Sequence, residues 1–265
     1  MRVTTLIDNR PAPQLTAEWG LAFWIEYQDK HILLDTGGGE NFARNAAALG
    51  IYLSRADFAV LSHAHWDHAD GLPAFFRRNQ TAPLYLRQGC GEDCYDRTDR
   101  GWRYEGIRKG TLAEYADRIP FSPAPGVSLL PHTTPGLAAK GKAGKMYRLR
   151  DGKYTPDDFS HEQSLVFQTD QGLVIFNSCC HAGADVIVRE TQEAFPGQTI
   201  RALVGGFHLF ETPDADIYAL GRRLAESGVE EIVTGHCTGE RGFQILKEVL
   251  GARAKQLRTG LVLTF

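Results

Sequence analysis

Apolar residues along this chain fall in short alternating or continuous runs punctuated by polar turns, a pattern of many strands with modest helices between them. Residues 20–27, a polar turn at Asp29 and Lys30, and residues 31–34 predict a β-hairpin. Residues 57–61 read as a short buried strand. The later half repeats the rhythm: residues 164–168, a turn at Asp170, Gln171 and Gly172, and residues 173–176 predict a second hairpin. Further strands are expected at 202–204, 231–233 and 261–265. Helical spacing predicts a short helix over 45–49 that stops at Gly50, and others over 72–78, 186–195 and 242–250. One more opens with Thr212 as N-cap and Pro213 at its first position. Its apolar stripe is Ile217, Leu220 and Leu224.

Both halves therefore run hairpin first, then strand–helix units. That order predicts an α/β (α+β) protein in which two similar β-sheets pack between helices. Two stretches break the rhythm, at about 89–125 and 132–160, where charged, aromatic and glycine-rich sequence replaces periodic pattern. They are expected to be irregular insertions in a single domain spanning 1–265, placed as lids or binding segments.

The chemistry concentrates directly after the strand ending at Leu61. His63, His65, Asp67 and His68 form an H-x-H-x-D-H cluster, four good metal ligands within six residues. On extended chain, residues two apart point the same way, so His63 and His65 can share one metal. After the chain turns, Asp67 and His68 can face a second. Imidazole nitrogen with one carboxylate oxygen suits zinc first, with iron or manganese as alternatives. Three later histidines follow predicted strand ends: His181, His208 and His236. In an α/β arrangement such ends gather on one edge of a sheet, where sites form.

Composition narrows the picture further. A net charge of −3 argues against a dedicated nucleic-acid surface, and no apolar run approaches membrane-spanning length. A cytoplasmic protein without membrane or nucleic-acid partners is expected. The five cysteines are an odd count and read as reduced thiols. Cys179, Cys180 and Cys237 stand beside His181 and His236, which makes them candidates for the metal neighbourhood or for redox sensing. Cys90 and Cys94 are expected to be structural, and His31 and His132 structural or solvent-exposed.

These motifs together resemble the metallo-β-lactamase-fold hydrolases over nearly the whole chain. The matching order is Asp35 after a hairpin strand, then His63, His65, Asp67 and His68, then histidines at strand ends. Within that superfamily the chain is most similar to proteins like dihydropterin-ribofuranosyl-aminobenzene phosphate synthase. That branch resemblance rests on His161-Glu162-Gln163, Cys179-Cys180-His181, Gly205-Gly206-Phe207-His208 and Gly235-His236-Cys237. The resemblance implies an αββα sandwich and two divalent metal ions. One would be held by His63, His65 and a third histidine, the other by Asp67, His68 and His236. His161 takes the third place in the general pattern; His181 is favoured here, because Cys179 stands where a bridging aspartate is expected. Cys179 itself then becomes a further candidate ligand. Asp35 is expected to orient a metal-bound histidine, and His208 to act as general acid or oxyanion donor.

The implied activity is hydrolysis of a phosphoester or related ester of a small anionic metabolite by a metal-activated hydroxide, with Asp67 also orienting the nucleophile. Arg148, Arg150, Lys142 and Lys145 are candidate contacts for the substrate anion. Pterin-related synthase or transferase chemistry on the same metals, and a thiol-based metal or redox sensor, are the alternatives.

Overall fold

The computed structural model describes residues 1–120 and 124–265; residues 121–123, within the first stretch expected to be irregular, lie outside the described residues. In chain order the first half comprises β1 (Arg2–Ile7), β2 (Ala22–Tyr27), β3 (Lys30–Leu34), α1 (Asn41–Ala48), β4 (Phe58–Val60), α2 (Trp66–Ala69), α3 (Leu72–Arg78) and β5 (Leu84–Tyr85). A middle segment follows with β6 (Cys94–Thr98), β7 (Gly101–Tyr104), α4 (Thr111–Glu114), β8 (Ser128–Pro131), α5 (Leu137–Ala143), β9 (Met146–Arg150) and β10 (Lys153–Pro156). The second half runs through β11 (Gln163–Thr169), β12 (Gly172–Phe176), α6 (Ala184–Ala194), β13 (Ile200–Gly205), α7 (Asp214–Glu226), β14 (Glu231–Thr234), α8 (Gly239–Leu250), β15 (Ala254–Gln256) and β16 (Val262–Thr264).

Among the described residues, two six-stranded mixed sheets carry the architecture, in the orders β16-β1-β2-β3-β4-β5 and β15-β14-β13-β12-β11-β8. The two-residue period of a strand explains the layering. Along β2, Phe23 and Ile25 face the space between the sheets, while Ala22 and Trp24 face α1 and α3. Along β12, Val174 and Phe176 face the other sheet, while Leu173 and Ile175 face the helices of the second half. Each central strand is apolar on both faces because each face has a core to fill. The layers are helix, sheet, sheet, helix, as expected.

The predicted hairpins and buried strands occur within a residue or two of their expected limits. Helix α7 differs slightly: it opens at Asp214 and Pro213 occupies the cap position, so Thr212 lies one residue outside. The larger difference is in the two stretches expected to be irregular. They hold β6, β7, β9 and β10, which form a separate four-stranded antiparallel sheet in the order β10-β9-β6-β7. Its strands lack a continuous apolar face, so the alternation that betrays the other strands is missing. Aromatic contacts across the sheet take that role, with Trp102 stacked on Tyr154 at 3.7 Å and Tyr95 edge-on to Tyr104 at 5.1 Å. The pairing partners are also far apart in sequence, as in Cys94 opposite Arg148.

Strands β12, β13 and β14 run parallel, so their C-terminal ends meet along one edge. The loop after β4 arrives from the first sheet, bringing His63 and its neighbours to the same place. Gly205 and Gly206 allow the close approach. A Cβ at Gly205, where φ is +148°, would overlap the Asn177 carbonyl, and one at Gly206 would press on Cys237 Sγ.

Candidate metal centre

Six of the predicted site residues converge at this edge. The imidazole rings of His63, His65 and His181 lie 4.7 to 5.0 Å from one another, and the His68 ring is 4.3 Å from that of His63. On the other side His68 faces His236, with Asp67 Oδ2 3.3 Å from His236 Nε2. All but His65, which is half-buried, are buried.

Asp35 is the hub beneath the rings. Its carboxylate accepts the Ser62 N–H at 2.8 Å, the Ser62 hydroxyl at 2.7 Å, the Ser178 hydroxyl at 2.5 Å and His68 Nδ1–H at 2.9 Å. Because a carboxylate only accepts, His68 carries its proton on Nδ1 and presents the Nε2 lone pair to the site. The Ser62 hydroxyl, already donating to Asp35, accepts from His63 Nδ1–H at 2.8 Å, so His63 Nε2 is likewise a lone pair. It is buried with no hydrogen-bond partner.

His236 is gripped from the end of β1, by residues that carried no predicted role. Asp8 accepts its backbone N–H at 2.9 Å, and the Asn9 amide oxygen accepts its Nδ1–H at 3.0 Å. The consequence is a gap in which His68 Nε2 and His236 Nε2 face each other at 3.2 Å, each with its other nitrogen committed to an acceptor. Two lone pairs at that distance repel unless a cation lies with them. Burial lowers the basicity of His236, but Cys237 and the Asp67 carboxylate outweigh it and push His236 up to about 9. A proton is thus drawn to this position when no metal is there. Burial works against an ionised Asp67, yet His68, His236 and His65 hold it below the usual carboxylate range. His63 and His181 are lowered by burial and by neighbouring rings, and His65 is brought down to about 3. Imidazoles held by their outer nitrogens, with one carboxylate beside them, fit a divalent cation of the zinc, iron or manganese kind, which would take the place of the proton on His236.

The two candidates for the third histidine are distinguished by their hydrogen bonds. His161 has both nitrogens engaged: Ala64 N–H donates to Nδ1 at 3.1 Å, and Nε2–H donates to Asp157 Oδ2 at 3.0 Å. Cys94 and His65 adjoin that pair, with donor atoms all within 4.8 Å. His181 Nε2 is buried and unpartnered. Glu162 holds His181 in place, accepting the N–H groups of His181 and Ala182 at 2.9 and 3.0 Å. Glu162 stood inside a quoted motif, but nothing in the sequence signalled this role. Asp8, Asn9, Ser62 and Ser178 were missed too; their one visible signal is a polar residue directly after an apolar strand.

Four non-glycine residues at the site adopt left-handed backbone: Asp35, Cys180, His208 and His236, with φ between 47° and 59°. Such conformations are costly and cluster where a side chain must be aimed. His208 has a buried, unpartnered Nδ1, and its ring lies 4.6 Å from that of His181. Of the clustered thiols, Cys180 turns away and donates to the Asn177 carbonyl, while Cys179 and Cys237 face the site. His132 is buried between Glu190 and Ser164, consistent with a structural role.

A cavity of about 870 Å³ opens over the centre. Trp19 and Phe210, both more than two-fifths exposed, meet edge to face at 5.6 Å on its wall, next to His236 and His208. Both stretches expected to be irregular contribute to the wall, through Arg103, Tyr104, Arg108 and Lys109 from one and Met146 from the other. The basic residues named from the second stretch do not. Arg148 is buried in an ion pair with Asp93, and Arg150, Lys142 and Lys145 lie off the cavity. Arg103 is neutralised by Asp96 and Glu105, whereas Arg108 and Lys109 have no ion-pair partner among the described residues.

The family profile of the metallo-beta-lactamase superfamily matches residues 18–146 of the chain. It is similar to a 7,8-dihydropterin-6-methyl-4-(beta-D-ribofuranosyl)-aminobenzene-5'-phosphate synthase from Methanocaldococcus jannaschii, 26% identical over 94% of this chain and 90% of that one. Among solved structures it is similar to Tm1679, described as a metal-dependent hydrolase of the beta-lactamase superfamily, at TM-score 0.86 and 29% identity over 100% of this chain and 99% of that one. YhfI from Bacillus subtilis shares the fold at TM-score 0.59 and 13% identity, over 99% and 98% of the two chains. None of the helices is long and apolar enough to cross a membrane among the described residues.

Proposed function

We propose that this protein is a two-metal hydrolase of a phosphoester, or a related ester, of a small anionic metabolite that carries a planar ring. The facing lone pairs of His68 and His236, together with the orphaned Nε2 atoms of His63 and His181, carry the reading. His63, His65 and His181 would hold one ion, and Asp67, His68 and His236 the other. When bound, such a pair supplies a hydroxide nucleophile at neutral pH and neutralises charge developing on the attacked ester.

The chain's own groups do the rest. Asp67, ionised and lining the cavity, accepts a hydrogen bond from the attacking water and orients it. His208 lines the cavity and has an unpartnered, buried Nδ1, and it would give a proton to the leaving oxygen. Arg108 and Lys109 meet the substrate anion, and the exposed edges of Trp19 and Phe210 pack against its ring.

Synthase chemistry on the same platform is the second reading, favoured by the likeness to the Methanocaldococcus jannaschii synthase along almost the full chain. Elemental mass spectrometry on protein purified without added metal, beside a His63→Ala control, tests the metal centre. About two equivalents, lost in the control, are expected. Product analysis with aryl phosphoesters then separates the readings, since hydrolysis consumes one substrate and water, whereas a synthase needs two organic substrates.

A further inference from the structure

We propose that Cys179 is a thiolate ligand shared by both metal positions, with Cys237 donating a hydrogen bond to its sulfur. The inference rests on the two-metal reading above and assigns the group that joins the two halves of the centre. Cys179 Sγ forms one cluster with donor atoms of His63 and His181 and another with those of His68 and His236, every atom within 4.8 Å of the others in its cluster. Among the described residues no other side chain belongs to both. Its sulfur lies 3.2 Å from the inward Nε2 of His68.

Charge points the same way. An imidazole binds metal as a neutral ligand, so a dication held by His63, His65 and His181 alone would have no anion in a buried place. A shared thiolate supplies one to both positions. The backbone also aims this sulfur deliberately: Cys180, next in the chain, takes the left-handed conformation and sends its own thiol to the core. Behind Cys179, His208 N–H donates to Cys237 Sγ at 3.2 Å, and the Cys237 thiol reaches Cys179 Sγ at 3.4 Å. A donor aimed at a thiolate stabilises it and tunes the metal it binds. On loading, the Cys179 S–H bond breaks, its proton leaves to solvent, and the sulfur electron pair forms the bonds to metal, with no change of oxidation state.

The test is metal-free protein titrated with cobalt(II) without oxygen, read by near-ultraviolet absorption and by equilibrium dialysis. The native chain should bind two equivalents and show a thiolate-to-cobalt charge-transfer band. Cys179→Ser should lose the band and weaken the second equivalent on the order of tenfold or more. Cys179→Asp should keep two equivalents without the band, and Cys237→Ser should keep the band, displaced in energy. Two bound cobalt ions with no band in the native chain, or a band that survives in Cys179→Ser, overturns the shared thiolate while leaving the two-metal centre standing. Failure of the native chain to bind cobalt overturns both.

Discussion

Nδ1 of His68 donates to Oδ2 of Asp35 at 2.9 Å, and that same oxygen accepts the hydroxyls of Ser62 and Ser178. One buried carboxylate at the end of β3 therefore sets the tautomer of His68 directly and that of His63 through Ser62. It also ties both to the turn that carries Cys179. Asp35→Asn replaces an acceptor-only group with one that must donate on one side. Metal affinity is expected to fall 10- to 100-fold, the usual penalty for losing such a support. Competition against a coloured chelator measures it, and unchanged affinity would remove Asp35 from this role.

Asp67→Ala and His65→Ala should fold, because neither side chain holds the sheets together. Each should lose metal and any activity the metals support. Circular dichroism and elemental analysis on the same samples check both halves of the statement. Full metal content in either variant contradicts the ligand assignment.

Glu162→Gln leaves one of two buried N–H groups, those of His181 and Ala182, without an acceptor. Loss of a hydrogen bond to a charged group costs about 1.5–3 kcal/mol. Urea unfolding of the metal-free variant should show a loss of that size, and the misplaced His181 should weaken metal binding as well. A neutral result on both counts would mean the turn is held by other contacts.

Acid sensitivity should trace partly to Glu190. Burial raises its pKa, but hydrogen bonds from His132, Thr134 and the Thr133 N–H more than offset this and bring it from 4.5 to about 2. A depressed pKa stabilises the fold above the unfolded value and is lost as pH falls through the folded one. The contribution should thus be intact above about pH 4.5 and fade towards pH 2. Thermal midpoints recorded across that window should fall more shallowly for Glu190→Gln than for the native chain; parallel curves would be the contrary result.

Arg108→Ala and Lys109→Ala should raise KM for an anionic substrate on the order of tenfold each while leaving metal content unchanged, since each removes a charge-assisted contact. Arg148→Ala should instead cost stability, because it takes away the buried partner of Asp93 and leaves only the exposed Arg150 beside that carboxylate. Steady-state kinetics beside thermal unfolding distinguishes the two kinds of loss.

The central strands were legible because they are apolar on both faces, which local sequence records directly. The four-stranded sheet of β6, β7, β9 and β10 was not. Its stability comes from aromatic pairs such as Trp102 with Tyr154, brought together from distant positions without an apolar stripe to announce them. The anion contacts were misplaced for the same reason: a basic residue's partner is a tertiary fact. Arg148 is consumed by Asp93, while Arg108 and Lys109 have no ion-pair partner among the described residues.

The sequence by itself determined the layered class of the fold and the cluster of His63, His65, Asp67 and His68. Alternation, turn residues and ligand spacing are properties of neighbouring positions. It also placed Asp35, His181, His208 and His236 at strand ends. Which nitrogen each ring offers was decided in three dimensions, for two of them by acceptors far along the chain: Asp35 for His68 and Asn9 for His236. A lone pair is available only where the other ring nitrogen has found its partner, and those partners follow the ends of strands β1 and β3, which reach the site through folding alone.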